Sequence, residues 1–181
     1  MWPEPRLTYD NARLPEALLA AAAGLVIAVA LTWRWRISGV EDVDLSPSLL
    51  EMARKRIDRQ GWTNVEPIEA DATTWRPAHA VAVVYFSYSL TMIPDWFAAI
   101  ENALAMLKPG GLIGVVDFYT SRKHPSPGQR KAGYFQRNFW PFWFAFDNVF
   151  LSPDHAPYLQ SQFETVSFEE ARGGAPYISF V

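Results

Sequence analysis

Asp44 closes a short strand-like run, and the chain turns at once into a helix. Ser46 offers an N-cap oxygen, and Pro47 suits the first helical position, where a missing N–H costs nothing. Leu49, Leu50, Ala53 and Ile57 then form one apolar stripe, with Lys55, Arg56 and Arg59 outside it. A carboxylate at such a strand-to-helix turn can accept two hydrogen bonds from a ribose diol, as in nucleotide-binding α/β folds. The chemistry implied is recognition of an adenosine-containing ligand. Asp44 could instead cap the helix, but Ser46 already fills that role.

The elements that must position this acid alternate along the chain. Asn64 to Ile68 reads as a strand, followed by the acidic turn Glu69-Ala70-Asp71-Ala72. Ala80 to Phe86 is a second β-rich run. Pro94 and Asp95 open a helix through Leu107, with Trp96, Ala99, Ile100, Ala103, Leu104 and Leu107 as its buried stripe. Lys108 suits the helix C-terminus, and Pro109-Gly110-Gly111 stops it. Leu112 to Phe118 is a further strand. Strands alternating with helices predict a parallel sheet with crossovers. The C-terminus differs: Phe163 to Glu169, Arg172-Gly173-Gly174 and Pro176 to Val181 read as an antiparallel hairpin. Ser121 to Gly133 is a loose, basic stretch with Pro125 and Pro127.

Composition narrows the classes. At 181 residues the expectation is a single domain, 1–181, with a sizeable core. Half the residues are hydrophobic, which excludes a disordered chain. A net charge of −3 argues against nucleic acid as a partner through bulk charge. With no cysteine there is no disulfide, Cys-ligated zinc or thiol catalysis. No His/Asp/Glu spacing resembles a metal site, and His124 and His155 read as surface loop residues.

The first 39 residues form a divergent segment. Ala17 to Trp33 carries no charge and is followed by Arg34, Trp35 and Arg36. Residues 17–33 could therefore be a transmembrane anchor, which needs about 20 apolar residues. The alternative is a buried helix, Pro15 to Ala23, followed by a central strand, Leu25 to Leu31. Glu4, Asp10 and Glu16 outnumber Arg6 and Arg13, unlike a secretory leader.

VDLSPSLLEMARKRI from Val43, EADA at 69–72 and LKPGGLIGVVDFY at 107–119 resemble successive motifs of class I S-adenosylmethionine-dependent methyltransferases. That resemblance implies a Rossmann-like, mostly parallel sheet with a C-terminal antiparallel hairpin. A finer resemblance is to the methyltransferase portion of betaine-lipid (diacylglyceryl-trimethylhomoserine) synthases. It rests on FSYSLTMIPDW at 86–96, VVDFY at 115–119, the aromatic run at 139–159 and YDNAR at 9–13.

The resemblance implies S-adenosyl-L-methionine as cofactor and assigns its contacts. Asp44 accepts from the ribose, Leu45 packs on the adenine, Asp71 accepts from the adenine amino group and Ala72 offers a backbone amide. Tyr9 and Arg13 belong to the N-terminal element on the cofactor side. Ser87 follows the strand on the cofactor side, with Tyr88 beside the acceptor. Because the sulfonium already activates the methyl group, the protein mainly positions donor and acceptor and excludes water. An amine acceptor must arrive neutral, so a base is needed; Tyr88, Asp117 and Tyr119 are the candidate catalytic residues.

From Tyr134 to Phe150, nine of seventeen residues are aromatic, with Arg130, Lys131 and Arg137 before or among them. Residues 121–160 thus read as an aromatic insertion or lid. The rings either meet a membrane surface or bury ordinary core area, and Pro141 breaks a long helix. The expected acceptor is a lipid or small amine, with a partner enzyme supplying the homoserine lipid. The expected location is cytoplasmic or peripheral on the inner face of a membrane.

One departure stands against this pattern. The family places a glycine-rich turn between the positions of Arg13 and Gly39, where only glycine lets the backbone approach the cofactor. Here that interval has 25 residues and one glycine, Gly24. The N-terminal strand and glycine loop are atypical or incomplete, and residues 14–39 are substituted, deleted or frame-shifted relative to the family. Three readings follow: an active N-methyltransferase, a methyltransferase-like protein without cofactor binding (an interaction module or truncated gene product), and a protein anchored through 17–33.

Overall fold

The computed structural model describes residues 39–125, 129–146, 148–170 and 176–181. Strand β1 (Val40–Asp44) pairs in parallel with β2 (Val65–Glu69), placing Asp44 opposite Glu69. Helix α1 (Pro47–Gln60) crosses between them. Its start follows the sequence pattern: Ser46 Oγ accepts from the Leu49 N–H at 3.4 Å, and Pro47 opens the first turn. Gly61 ends it at φ 67°, a left-handed conformation that a side chain would strain. Leu50 and Ile57 are buried, while Leu49 and Ala53 lie half-buried at the edge of the stripe.

A second sheet has the order β3-β4-β6-β5. β3 (Val81–Ser87) and β4 (Leu107–Phe118) are parallel and are joined by α2 (Trp96–Met106). β6 (Tyr177–Phe180) runs antiparallel to β4, and β5 (Phe168–Glu170) antiparallel to β6. Parallel pairs with crossover helices, closed by an antiparallel hairpin, are the expected architecture. The helix Pro15–Ala23, the strand Leu25–Leu31 and the candidate anchor 17–33 lie outside the described residues. Among those described, no helix is long and apolar enough to cross a membrane.

Three boundaries differ from expectation. The hairpin's first strand is Phe168–Glu170 rather than Phe163 to Glu169, because Phe163 closes the preceding helix, its N–H donating to the Leu159 carbonyl at 2.9 Å. α2 stops at Met106, and Leu107 already pairs with Val81, so Lys108 belongs to a strand. The ladder shifts register between Val81 and Val83, and this irregularity absorbs the Pro-Gly-Gly run, with Gly110 at φ 73°. Leu104 is exposed, and Asn102 is buried in its stead. The stripe has rotated because Asn102 has polar partners to reach.

The main core joins Phe86, Ile113 and Val115 of the sheet to Ala99, Ile100 and Ala103 of α2. Leu159 of α4 (His155–Gln162) and Phe180 complete it. Each such large side chain contributes about 1.5–3 kcal/mol by leaving water. On the opposite face the ring of Tyr85 fills the space above Gly114: a Cβ there would come within 2.7 Å of Tyr85 Cδ2. Helix α3 (Tyr134–Ala145) adds a small cluster of Phe144, Val149 and Leu151, with Trp140 and Phe118 against it. Pro141 lies inside α3 without ending it. It removes the donor to the Arg137 carbonyl, but Trp140 and Phe144 on either side are seated on Phe118 or its neighbours.

Candidate functional site

The two acids from the sequence sit at adjacent C-terminal strand ends. Asp44 ends β1, and its Oδ1 accepts from the Ser46 N–H at 2.7 Å. Burial pushes its carboxyl above the ordinary carboxylate range, and the Ser46 and Leu45 backbone donors pull it back. Asp42, two residues earlier on the same face, is raised by burial and then by the charge of Asp44. Leu45 beside it is 65% exposed, a large apolar side chain held out in solvent.

Asp71 lies in the turn after β2. Its Oδ1 accepts from the Thr73 N–H at 2.8 Å and from Thr73 Oγ1 at 2.7 Å, which fixes the side chain within the turn. The two turns are joined directly: the Ala70 N–H donates to the Asp44 carbonyl at 3.1 Å. The loop is also tied from outside. Asn102 of α2 donates to the Ala72 carbonyl at 2.9 Å and to the Trp75 carbonyl at 2.7 Å. Sequence reasoning missed Asn102; its signal was an amide inside an apolar helix face, between Ile100 and Ala103.

This arrangement fits the adenosine half of the expected cofactor. A partly desolvated carboxylate at the strand end suits a diol, the exposed Leu45 suits the flat face of a base, and the Asp71 turn stands next to both. Tyr9, Arg13 and the interval of the glycine-rich turn lie outside the described residues.

The remaining candidates lie at the ends of β3 and β4. Ser87 closes β3, and its Oγ is buried. Tyr88 takes a φ of 50°, donates its N–H to the Val116 carbonyl at 2.7 Å and packs its ring 5.0 Å from that of Phe118. Burial raises its phenol, as do Tyr177 and Asp117. Tyr119 is buried, and burial, then Glu170, pushes its phenol up to about 12.

Asp117 is wholly buried and engaged. It accepts from Thr91 Oγ1 at 2.7 Å, the Thr91 N–H at 3.2 Å and the Phe118 N–H at 2.7 Å. Burial raises it to about 6 against these donors. Asp117 thus ties the loop after β3 to the end of β4, and its carboxyl has no exposure to solvent. That loop, through Leu90 and Thr91, forms a wall of a pocket of about 350 Å³ with Trp96, Phe150, Leu151 and Ser152.

His155 corrects the sequence reading. It is buried at the start of α4, its ring edge-on to Trp96 at 4.6 Å, and neither ring nitrogen has a partner among the described residues. Burial lowers its pKa to about 4, so it is neutral. It belongs to the inward face of α4 with Ala156 and Leu159, a pattern that a short helix showed too weakly in sequence. His124 is exposed, as expected. Among the described residues no group of three His, Asp or Glu could hold a metal ion.

Comparison with known proteins identifies the family and the fold. The sequence pattern of the methyltransferase domain matches residues 20–111. Trans-aconitate 2-methyltransferase of Enterobacter sp. (strain 638) is 34% identical over 82 residues, which are 45% of this chain and 31% of that protein. The chain spans about a third of the length of the curated relatives it matches. In fold it is similar to a putative methyltransferase from Bacillus halodurans, with a TM-score of 0.61 and 20% identity, covering 83% of this chain and 63% of that one. It is also similar to the N-methyltransferase NodS from Bradyrhizobium japonicum WM9, solved in complex with S-adenosyl-L-homocysteine. That match has a TM-score of 0.58 and 14% identity, covering 78% and 64% of the two chains. With the paired acidic turns and the Rossmann-like mixed sheet, the matched span of half the chain shows that this protein belongs to the methyltransferase-domain family.

Proposed function

We propose that the chain acts as an S-adenosyl-L-methionine-dependent methyltransferase. The observation that carries this reading is the pair of strand-end acids, Asp44 and Asp71, on turns joined through Ala70 N–H and the Asp44 carbonyl. Asp44 would accept from the ribose hydroxyls, Leu45 would cover one face of the adenine, and Asp71 with the Ala72 amide would read its edge. The cofactor, when bound, supplies a methyl group on a sulfonium, already activated for in-line displacement. The chain's own residues then have to orient and dry the site. Asp117 does the first by holding Thr91 and the loop after β3. Tyr88 and Tyr119 remain the candidate hydroxyls at an acceptor; both phenols are protonated at neutral pH, and burial keeps them so.

For the acceptor we infer a lipid-linked amine of betaine-lipid synthesis, with a partner enzyme supplying the homoserine lipid. The support is the resemblance of segments 9–13, 86–96, 115–119 and 139–159 to that group of synthases. A second reading, a methyltransferase-like domain that binds no cofactor, is favoured by the single glycine between Arg13 and Gly39. Calorimetric titration with S-adenosyl-L-homocysteine separates the two. Micromolar binding is expected, weakened about 10- to 100-fold in Asp44→Asn, as loss of a hydrogen bond to a charged group implies. Absence of heat at millimolar ligand would overturn the first reading in favour of the second.

A further inference from the structure

Helix α3 presents aromatic rings on two sides. Trp140 and Phe144 face inward, and Phe144 lies 4.6 Å from Phe118. On the outside, Phe135, Phe139 and Trp143 follow one another at four-residue spacing and stack, with interplanar angles of 15° and 22°. Phe142 and Phe146 form a second outward pair with centroids 5.1 Å apart. These rings are not rim residues: Phe135 is 74% exposed, Phe142 66%, Trp143 57% and Phe146 72%. They stand ordered against one another with no other element over them among the described residues.

The charge around them is one-sided. From Tyr119 to Phe146 the sequence has no Asp or Glu, against Arg122, Lys123, Arg130, Lys131 and Arg137, in a chain whose net charge is −3. Arg122 is paired with Asp154 at 2.6 Å, and Glu170 accepts from the backbone N–H of Arg130. Lys123 and Lys131 are exposed. We propose that α3 is an interfacial helix that docks the protein on an anionic phospholipid surface, rings at the headgroup level and the flanking cations against phosphate. The charge selects this occupant. A second copy of the chain, meeting α3 through a two-fold axis, would set the Lys131 and Arg137 region against its own image. An anionic bilayer supplies both the negative charge and the half-polar depth at which Trp and Tyr settle.

The test is co-sedimentation of the full chain with phosphatidylcholine vesicles, with and without phosphatidylserine. Binding is expected on the anionic vesicles, weaker on the neutral ones, and decreasing with salt. Lys131→Glu should lower it about tenfold, and the double variant Phe142→Ser/Phe146→Ser by about tenfold or more. Both positions are exposed, so thermal melting should be unchanged. Should the double variant fail to fold, a blue shift of tryptophan emission on mixing the wild type with anionic vesicles, reduced in Trp143→Phe, supports docking. Three results overturn the proposal: no binding to anionic vesicles, equal binding by the double variant, or a dimer in sedimentation velocity that the double variant dissolves while vesicles bind nothing. Vesicle binding needs no cofactor, so its failure leaves methyl transfer standing, and a chain that binds no cofactor can still dock.

Discussion

Thr91→Val removes one donor from a carboxylate that has no access to water. In the wild type, Asp117 is wholly buried and its Oδ1 accepts from Thr91 Oγ1 at 2.7 Å. Valine has nearly the shape of threonine, so the change leaves the packing and deletes the hydroxyl. A hydrogen bond to a charged group is worth about 1.5–3 kcal/mol, so stability should fall by about 2 kcal/mol at a pH where Asp117 is ionised in both proteins. For a chain of this length that corresponds to a Tm lower by about 4–8 °C. The pH dependence identifies the cause. Asp117 is raised from 3.8 to about 6 on folding. Its contribution to stability is therefore fully present below pH 3.8 and is lost as pH rises through about 6. Deleting a donor to the ionised form raises the folded pKa further. The penalty of Thr91→Val should grow as pH rises through about 6, reach its full size only above the variant's own raised pKa, and shrink to under about 1 kcal/mol near pH 4. Urea unfolding at a series of pH values measures it. A loss below about 0.5 kcal/mol at pH 7.5, or a loss equal at every pH, refutes this tie.

Asn102→Leu removes both donors to the Ala72 and Trp75 carbonyls. It should cost about 1–3 kcal/mol and weaken S-adenosyl-L-homocysteine severalfold by loosening the Asp71 turn; lower stability with unchanged calorimetric affinity would separate the tie from the ligand site. His155→Phe tests the other buried titrating group. Folding lowers His155 from 6.5 to about 4, so its contribution is whole above pH 6.5 and is lost as pH falls toward 4, by about 3 kcal/mol in total. The variant should therefore lose less stability than the wild type between those pH values, and parallel urea midpoints would sink the assignment.

The cap at Ser46, the acid at Asp44 and the alternation of strands and helices were legible because each is local: a hydroxyl three residues before its amide, an apolar period, a strand end. The C-terminal antiparallel pair was legible in part for the same reason, through its alternating residues. What escaped was long-range. Asn102 acts on carbonyls 27 and 30 residues away, and Thr91 acts on a carboxylate 26 residues away. No spacing rule links such pairs. The burial of Asp117 was likewise not legible, since a carboxylate at a strand end is normally wet; here the loop after β3 folds over it. His155 misled in the same direction, since a histidine in a proline-flanked segment resembles a surface turn until α2 packs on it. The aromatic segment is divided in a way its composition does not show: Phe144 is core, and Phe142 and Phe146 are exposed.

The ring of Tyr85 over Gly114 has a consequence for how this sequence can drift. The two positions share one volume, divided between a large side chain and none. A substitution at 114 displaces the ring, and a smaller residue at 85 leaves a void, so neither position is free to vary alone. Descent should preserve them as a single unit, exchanged together or left untouched. Among related sequences, a joint change at 85 and 114 would mark the lineages in which this face of the sheet has been repacked.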